Sequence, residues 1–214
     1  MFGSGAADGF SRAVTQKTGL YQQGDKFVGT FQGLPAWTQT QMVADVAGSF
    51  HGHGGALGGL GALLGGSAGG MAQAMTGGGF FMKHDYVIEL PTSNLPAASL
   101  RESTSFLNDK SYQQRPAMGP RASSGVQWID SKYEVCAVDP NFIRYVCASP
   151  ELQQCLPRWH FLNLSWQGTH VWLELLDSTT RIAGKFGGTA MQNGDMTLAG
   201  LWLAAAAARA TFAR

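Results

Sequence analysis

Residues 160–176, HFLNLSWQGTHVWLELL, decide the fold. Apolar and polar residues alternate on both sides of a glycine, which is the pattern of a β-hairpin. With Gln167-Gly168 as a two-residue turn, Trp166 faces Thr169 and Ser165 faces His170. In that register Leu162, Leu164, Trp166, Val171, Leu173 and Leu175 share one face, the core side. Phe161, Asn163, Ser165, His170, Trp172 and Glu174 share the other, which reads as a polar outer face.

Working back from the hairpin, Asp139-Pro140 and Ser149-Pro150 each set a capping side chain before a proline at the first helical position. They predict two short helices, NFIRYVCA and ELQQCL, the second ending before Pro157. VQWIDSKYEVCAV before them has strand character. Residues 101–125 are polar and broken by Pro116, Pro120 and Gly125, and they read as a loop with a turn near Phe106 and Leu107. FFMKHDYVIEL alternates, with Phe80, Met82, Tyr86, Ile88 and Leu90 on one face and Lys83, Asp85 and Glu89 on the other. His84 falls on the apolar side, and Pro91 and Pro96 end this half-buried strand.

Near the start, DKFVGTFQGLPAWTQTQM reads as two strands turning at Gln32-Gly33. Pro35 lacks a ladder donor and predicts that the second strand begins at a sheet edge. Residues 5–18 read as a short amphipathic helix stopped by Gly19. From about Thr197 the chain reads as a helix capped by Asp195 or Thr197, with Arg209 and Arg214 suiting its negative end. Its apolar run is shorter than the roughly 20 residues needed to cross a bilayer. Strand pairs with helices segregated between them predict a single α+β domain. Its mainly antiparallel sheet is expected to carry two or three helices and a Gly-rich insertion. The expected division is 1–47 for the first helix and hairpin, 48–79 for the insertion and 80–214 for the remainder.

That insertion is the anomaly of the chain. Between Asp45 and Lys83 there is no Lys, Arg, Asp or Glu, and about half of the chain's 29 glycines fall there. Leu57, Leu60, Leu64, Met71 and Met75 recur at helical spacing, and small-xxx-small glycine pairs would let backbones approach closely. Each helical glycine costs about 0.8–1.0 kcal/mol relative to alanine, so no isolated helix is expected. The stripe is the expected interaction element, toward a partner protein, another copy or a membrane surface; a flexible loop is the plainer alternative.

The composition excludes several functions. Lys plus Arg is 15 against 14 for Asp plus Glu, a balance that predicts no nucleic-acid partner. Cys136, Cys147 and Cys155 are an odd set without CxxC spacing, expected to be unpaired and metal-free in a reducing compartment. The opening MFGSGAADGFSRAV lacks the basic start and apolar core of a secretory signal, which predicts a cytoplasmic protein, peripheral at the inner membrane face if it meets a membrane. No Walker loop, nucleotide fingerprint or nucleophile elbow occurs, and no cofactor is expected. His51 and His53 alternate as two metal ligands would, but without Cys, Asp or Glu beside them.

GTFQGLPAW, YVIELPTSNLP, YEVCAVDPNFIRYVCASPELQQCL and LSWQGTHVWLEL, closed by a C-terminal helix, resemble a family of uncharacterised bacterial proteins. The resemblance covers most of residues 19–212 outside the Gly-rich window. It implies a fold shared with proteins that are often tethered at a membrane, and it implies no reaction and no active-site residues. This chain has no transmembrane pair. The expected function is a non-enzymatic scaffold or adaptor at a larger complex or membrane surface. A small-molecule or lipid-binding domain is the second reading, with Ser165, His170, Trp172 and Glu174 as ligand-facing residues. An enzyme of undefined class is the third.

Overall fold

The computed structural model describes residues 4–44, 80–102, 117–156, 163–178 and 194–212. They form one α+β domain: an eight-stranded antiparallel sheet and five helices. In chain order the elements are α1 (Ser4–Thr18), β1 (Tyr21–Gln23), β2 (Lys26–Phe31), β3 (Leu34–Ala44), β4 (Phe80–Glu89) and β5 (Leu95–Glu102). Then follow α2 (Gln127–Lys132), β6 (Tyr133–Ala137), α3 (Pro140–Cys147), α4 (Pro150–Cys155), β7 (Asn163–Gly168), β8 (His170–Ser178) and α5 (Asp195–Arg209). The strand order is β1-β2-β3-β4-β8-β7-β5-β6.

The register stacks the core into two rows that cross six strands. One runs Thr38, Tyr86, Leu173, Leu164, Leu100, Val135, and the next runs Ala36, Ile88, Val171, Trp166, Ala98, Ala137. All twelve are buried. The helices pack on this face. Gly200 of α5 lies against the Tyr86 ring so closely that a Cβ would stand no farther than 2.7 Å from three ring carbons. Phe142 of α3 meets Trp166 edge-on at 6.5 Å. Phe10 of α1 meets Phe27 at 5.8 Å, and Ile129 of α2 and Leu152 of α4 are fully buried.

Both proline-led helices are capped as their sequences require. Asp139 accepts from the Asn141 N–H at 2.9 Å and Ser149 from the Leu152 N–H at 3.5 Å. At the first hairpin Gln32 and Gly33 both take positive φ, 53° and 79°, the twist a two-residue turn needs.

The last hairpin turns one residue later than expected. Gln167 pairs with His170, so Gly168-Thr169 forms the turn, and Gly168 at φ 57° fits its first central position. Leu164 therefore faces Leu173 rather than Val171, and Ser165 faces Trp172 rather than His170. Moving the turn by one residue shifts each partner by two, which preserves the faces. The apolar face of Leu164, Trp166, Val171, Leu173 and Leu175 is accordingly buried as expected, while Leu162 lies outside the described residues.

Other expectations are corrected. LPAASLRE is a strand: Pro96 falls where the β5–β7 register shifts between Leu95 and Ala98, the kind of irregularity that tolerates proline. Tyr21–Gln23 adds an edge strand, and Gln127–Lys132 is a helical turn preceding β6 rather than strand. β3 is internal from Ala36 onward, while its start is open on the β4 side as expected: Leu34 and Pro35 pair with Phe31 and Thr30 of β2 and precede the first β4 partner, Ala36. Gly194, in the left-handed region, precedes α5 in place of a side-chain cap, and Asp195 instead pairs with Lys17. β4 is not half-buried, because both of its faces are covered from His84 to Ile88.

The insertion leaves and re-enters at one point of the sheet, since Ala44 and Phe80 are register partners. Leu57, Leu60, Leu64, Met71, Met75, His51 and His53 lie outside the described residues, as do 103–116 of the polar loop.

Candidate functional site

The second face of the sheet carries the polar residues, and the register aligns them. Lys26, Gln39, Asp85, Glu174, Asn163, Arg101 and Glu134 form a single row across β2, β3, β4, β8, β7, β5 and β6. The adjoining row is Val28, Trp37, Val87, Trp172, Ser165, Ser99 and Cys136. Adjacent strands stand about 4.8 Å apart, so side chains along such a row are in reach of one another.

The expected polar outer face is not exposed. Asp85 is 3 %, Glu174 1 % and Asn163 1 % accessible, and Ser165 is buried beside them. Lys83, on the same face of β4, bridges the two carboxylates: its Nζ lies 2.7 Å from Glu174 Oε1 and 3.4 Å from Asp85 Oδ2. The Trp172 indole N–H donates to Asp85 Oδ1 at 3.0 Å. Trp37 meets Trp172 edge-on at 5.0 Å, with Val87 between them in the row and fully buried. Lys26 holds its ammonium over the Trp37 ring at 4.1 Å. At the other end Arg101 lies 3.8 Å from Glu134, and the Met118 N–H donates to Ser99. Lys83, Trp37, Trp172, Gln39 and Arg101 are half-buried and form the rim of this cluster.

Asn163 stands out within it. Its amide is buried, yet among the described residues neither Oδ1 nor Nδ2 has a hydrogen-bond partner. A buried amide left unpartnered costs about 1–3 kcal/mol, and hydrophobic residues would cover this face at less expense.

Of the four ligand-facing residues expected from sequence, Glu174, Trp172 and Ser165 fall in these two rows. His170 does not join them. It sits exposed near the hairpin turn, 3.9 Å from Glu89 and 3.1 Å from the Thr169 hydroxyl. Ser165 hydrogen-bonds at 3.5 Å to the Trp172 carbonyl, so the Ser-His-Glu alignment considered for nucleophilic chemistry is not formed. Lys83, Asp85, Asn163 and Arg101 carry no local sequence signal that marks them as site residues. Nor does the arrangement resemble a metal centre: the position between the carboxylates is filled by the Lys83 ammonium, and no group of three His, Cys, Asp or Glu able to hold an ion occurs among the described residues. The Cys136 and Cys147 thiols are buried and raised by that burial, Cys147 to about 12, which leaves them inert as nucleophiles. A surface depression on α1 is lined, among the described residues, by Ser11, Arg12, Thr15 and Gln16, none of them a carboxylate.

His84 points the opposite way, onto the core face, where its burial is expected to make stability depend on pH. It is 3 % accessible and stacks on Tyr86 with centroids 6.4 Å apart. Its Nδ1 lies 3.0 Å from the Thr40 hydroxyl, and burial pushes its pKa down to about 4. The unfolded chain takes up this proton near pH 6.5, so the stabilisation is complete above that pH and is lost as pH falls toward 4. We expect this single group to remove about 3 kcal/mol over that window. Urea unfolding of His84→Leu between pH 7 and 4 should show a loss smaller by that amount; an unchanged slope would place the titration elsewhere.

Comparison with protein-family models, with curated proteins and with solved structures finds no match to this chain. Among the described residues, no helix is long and apolar enough to cross a membrane.

Proposed function

We propose that this protein is a binding domain for a polar small molecule, held on the second face of its sheet. The observation that carries the reading is the buried Asn163 amide, whose donor and acceptor both lack a partner among the described residues, beside Glu174 in a row of mostly charged groups. Sites for small molecules join a few convergent polar groups to an aromatic wall, and Trp37 and Trp172 supply that wall here. Asp85, Lys83 and Glu174 are held against one another, which pre-orients them for a ligand at little entropic cost on binding. Protein purified under native conditions and then heat-denatured should release a stoichiometric polar compound detectable by mass spectrometry. If nothing is released, and no member of a polar metabolite set raises the melting temperature, the reading fails.

A scaffold or adaptor role at a complex or at the inner membrane face is a second reading, carried by the uncharged 48–79 segment and by the pairing of Ala44 with Phe80. Strand ends that already meet can be joined by a short turn, and loop length costs only about 0.6 kcal/mol per doubling. Replacing Gly48–Gly79 by a short linker should therefore keep or raise the melting temperature while weakening self-association or membrane recovery. If the associations are intact after the deletion, the scaffold reading is wrong. Cytoplasmic location is part of both readings, since three thiols without a disulfide suit a reducing compartment.

A further inference from the structure

We infer that His84 makes the docking of α5 sensitive to acid: a proton on its ring lifts the first two turns of the helix from β4 while the strands stay paired. The device is compatible with either reading of the function above and depends on neither.

His84 shares the core face of β4 with Tyr86, and the two rings stack at 6.4 Å with their planes 13° apart. Tyr86 is the seat of α5. Its hydroxyl donates to the Met196 carbonyl at 3.5 Å, and Gly200, one turn further along, rests on the ring with no room for a Cβ. A charge on His84 therefore lies beside the contact that holds the start of the helix.

No group among the described residues answers that charge. β3 brings the Thr40 hydroxyl to Nδ1, β8 places Leu175 opposite as Cα partner, and Nε2 has no hydrogen-bond partner. Lys83 and Asp85 lie on the other face of β4, and on the helical side Asp195 of α5 is paired with Lys17 of α1. A buried imidazolium with no carboxylate beside it is stabilised only by reaching water.

The start of α5 is the element least firmly held. β4 is laddered to β3 and β8 on both sides, whereas α5 begins after Gly194 with no side-chain cap on its first N–H groups. Local openings at such ends cost less than unfolding the whole domain. The buried ring takes its proton only near pH 4 and the solvated ring near pH 6.5, so acid draws the open form. By linkage, opening at pH 5 is favoured on the order of thirtyfold over its intrinsic value.

The test is hydrogen exchange of the full chain at pH 7 and pH 5, read by mass spectrometry and corrected for the intrinsic exchange rate at each pH. Protection of residues 195–201 should fall by about tenfold or more at pH 5, while residues 84–89 and 171–175 keep theirs. His84→Leu should abolish the loss, and His84→Gln serves the same purpose should the apolar side chain prevent folding. Equal loss in helix and strands would overturn the inference, since acid would then act on the whole fold alone. Unchanged protection of residues 195–201, or a loss that persists in the His84 variants, would overturn it too.

Discussion

Replacing Lys83 by methionine is expected to cost about 3–5 kcal/mol in urea unfolding at pH 7, the range found when one partner of a buried ion pair is removed. The Lys83 ammonium bridges Glu174 at 2.7 Å and Asp85 at 3.4 Å, and the two carboxylate side chains are 1 % and 4 % accessible. Without it, like charges would face each other as Cα partners on β4 and β8, and charges directly opposite on neighbouring strands repel. Adding Glu174→Gln to the Lys83→Met variant should recover a large share of the loss, because Asp85 then keeps its bond from the Trp172 indole and meets a neutral amide. A cost under 1 kcal/mol for Lys83→Met alone would mean that the carboxylates are solvated, and the buried cluster would not exist as described.

On the opposite face, Trp166→Ala is expected to cost about 3–5 kcal/mol as a cavity in the core, and more through the hydrogen bond it breaks. Trp166 is fully buried, and its Nε1 donates to the Ala207 carbonyl at 3.2 Å. That carbonyl lies in the last turn of α5, where helix carbonyls lack backbone partners. The N–H that would normally reach it, from Thr211, goes to Ala208 instead. Trp166→Phe separates the two effects: most of the ring volume is kept and the donor is lost, for an expected cost of about 1–3 kcal/mol. Equal stability of Trp166→Phe and the native chain would show that Ala207 finds another partner.

The core face was legible in the sequence, and the binding face was not. Leu164, Trp166, Val171, Leu173 and Leu175 kept their face when the turn moved from Gln167-Gly168 to Gly168-Thr169, because the alternation tolerates a symmetric shift. The capped helices after Asp139 and Ser149 were equally clear, since each boundary is set within four residues. β5 escaped because Pro96 reads as a terminator unless the register shift around it is known. QWIDSK is too short to show a helical period, and only Ile129 is fully buried in it.

The polar cluster escaped for a different reason. Lys83 and Asp85 read as the solvent face of β4 and Glu174 as the solvent face of β8, and each assignment is sound for an isolated strand. Their meeting depends on β4 pairing with β8, across some ninety residues of chain, and then on Asn163 and Arg101 falling into the same row. Local periodicity carries no information about which strands become neighbours. Ser165 and His170 show the converse: an alignment plausible within one hairpin was removed by a turn one residue later.

The central claim is that Asn163 is kept for a ligand at the expense of stability, and the unfolding free energy of Asn163→Leu tests it most directly. A buried amide without a partner among the described residues, replaced by an apolar side chain of similar shape, should stabilise the ligand-free protein by about 1–3 kcal/mol, a rise of a few degrees in melting temperature for a chain of this size. Destabilisation by a similar amount in a protein that still folds would contradict the account, since the amide would then be a satisfied part of the fold.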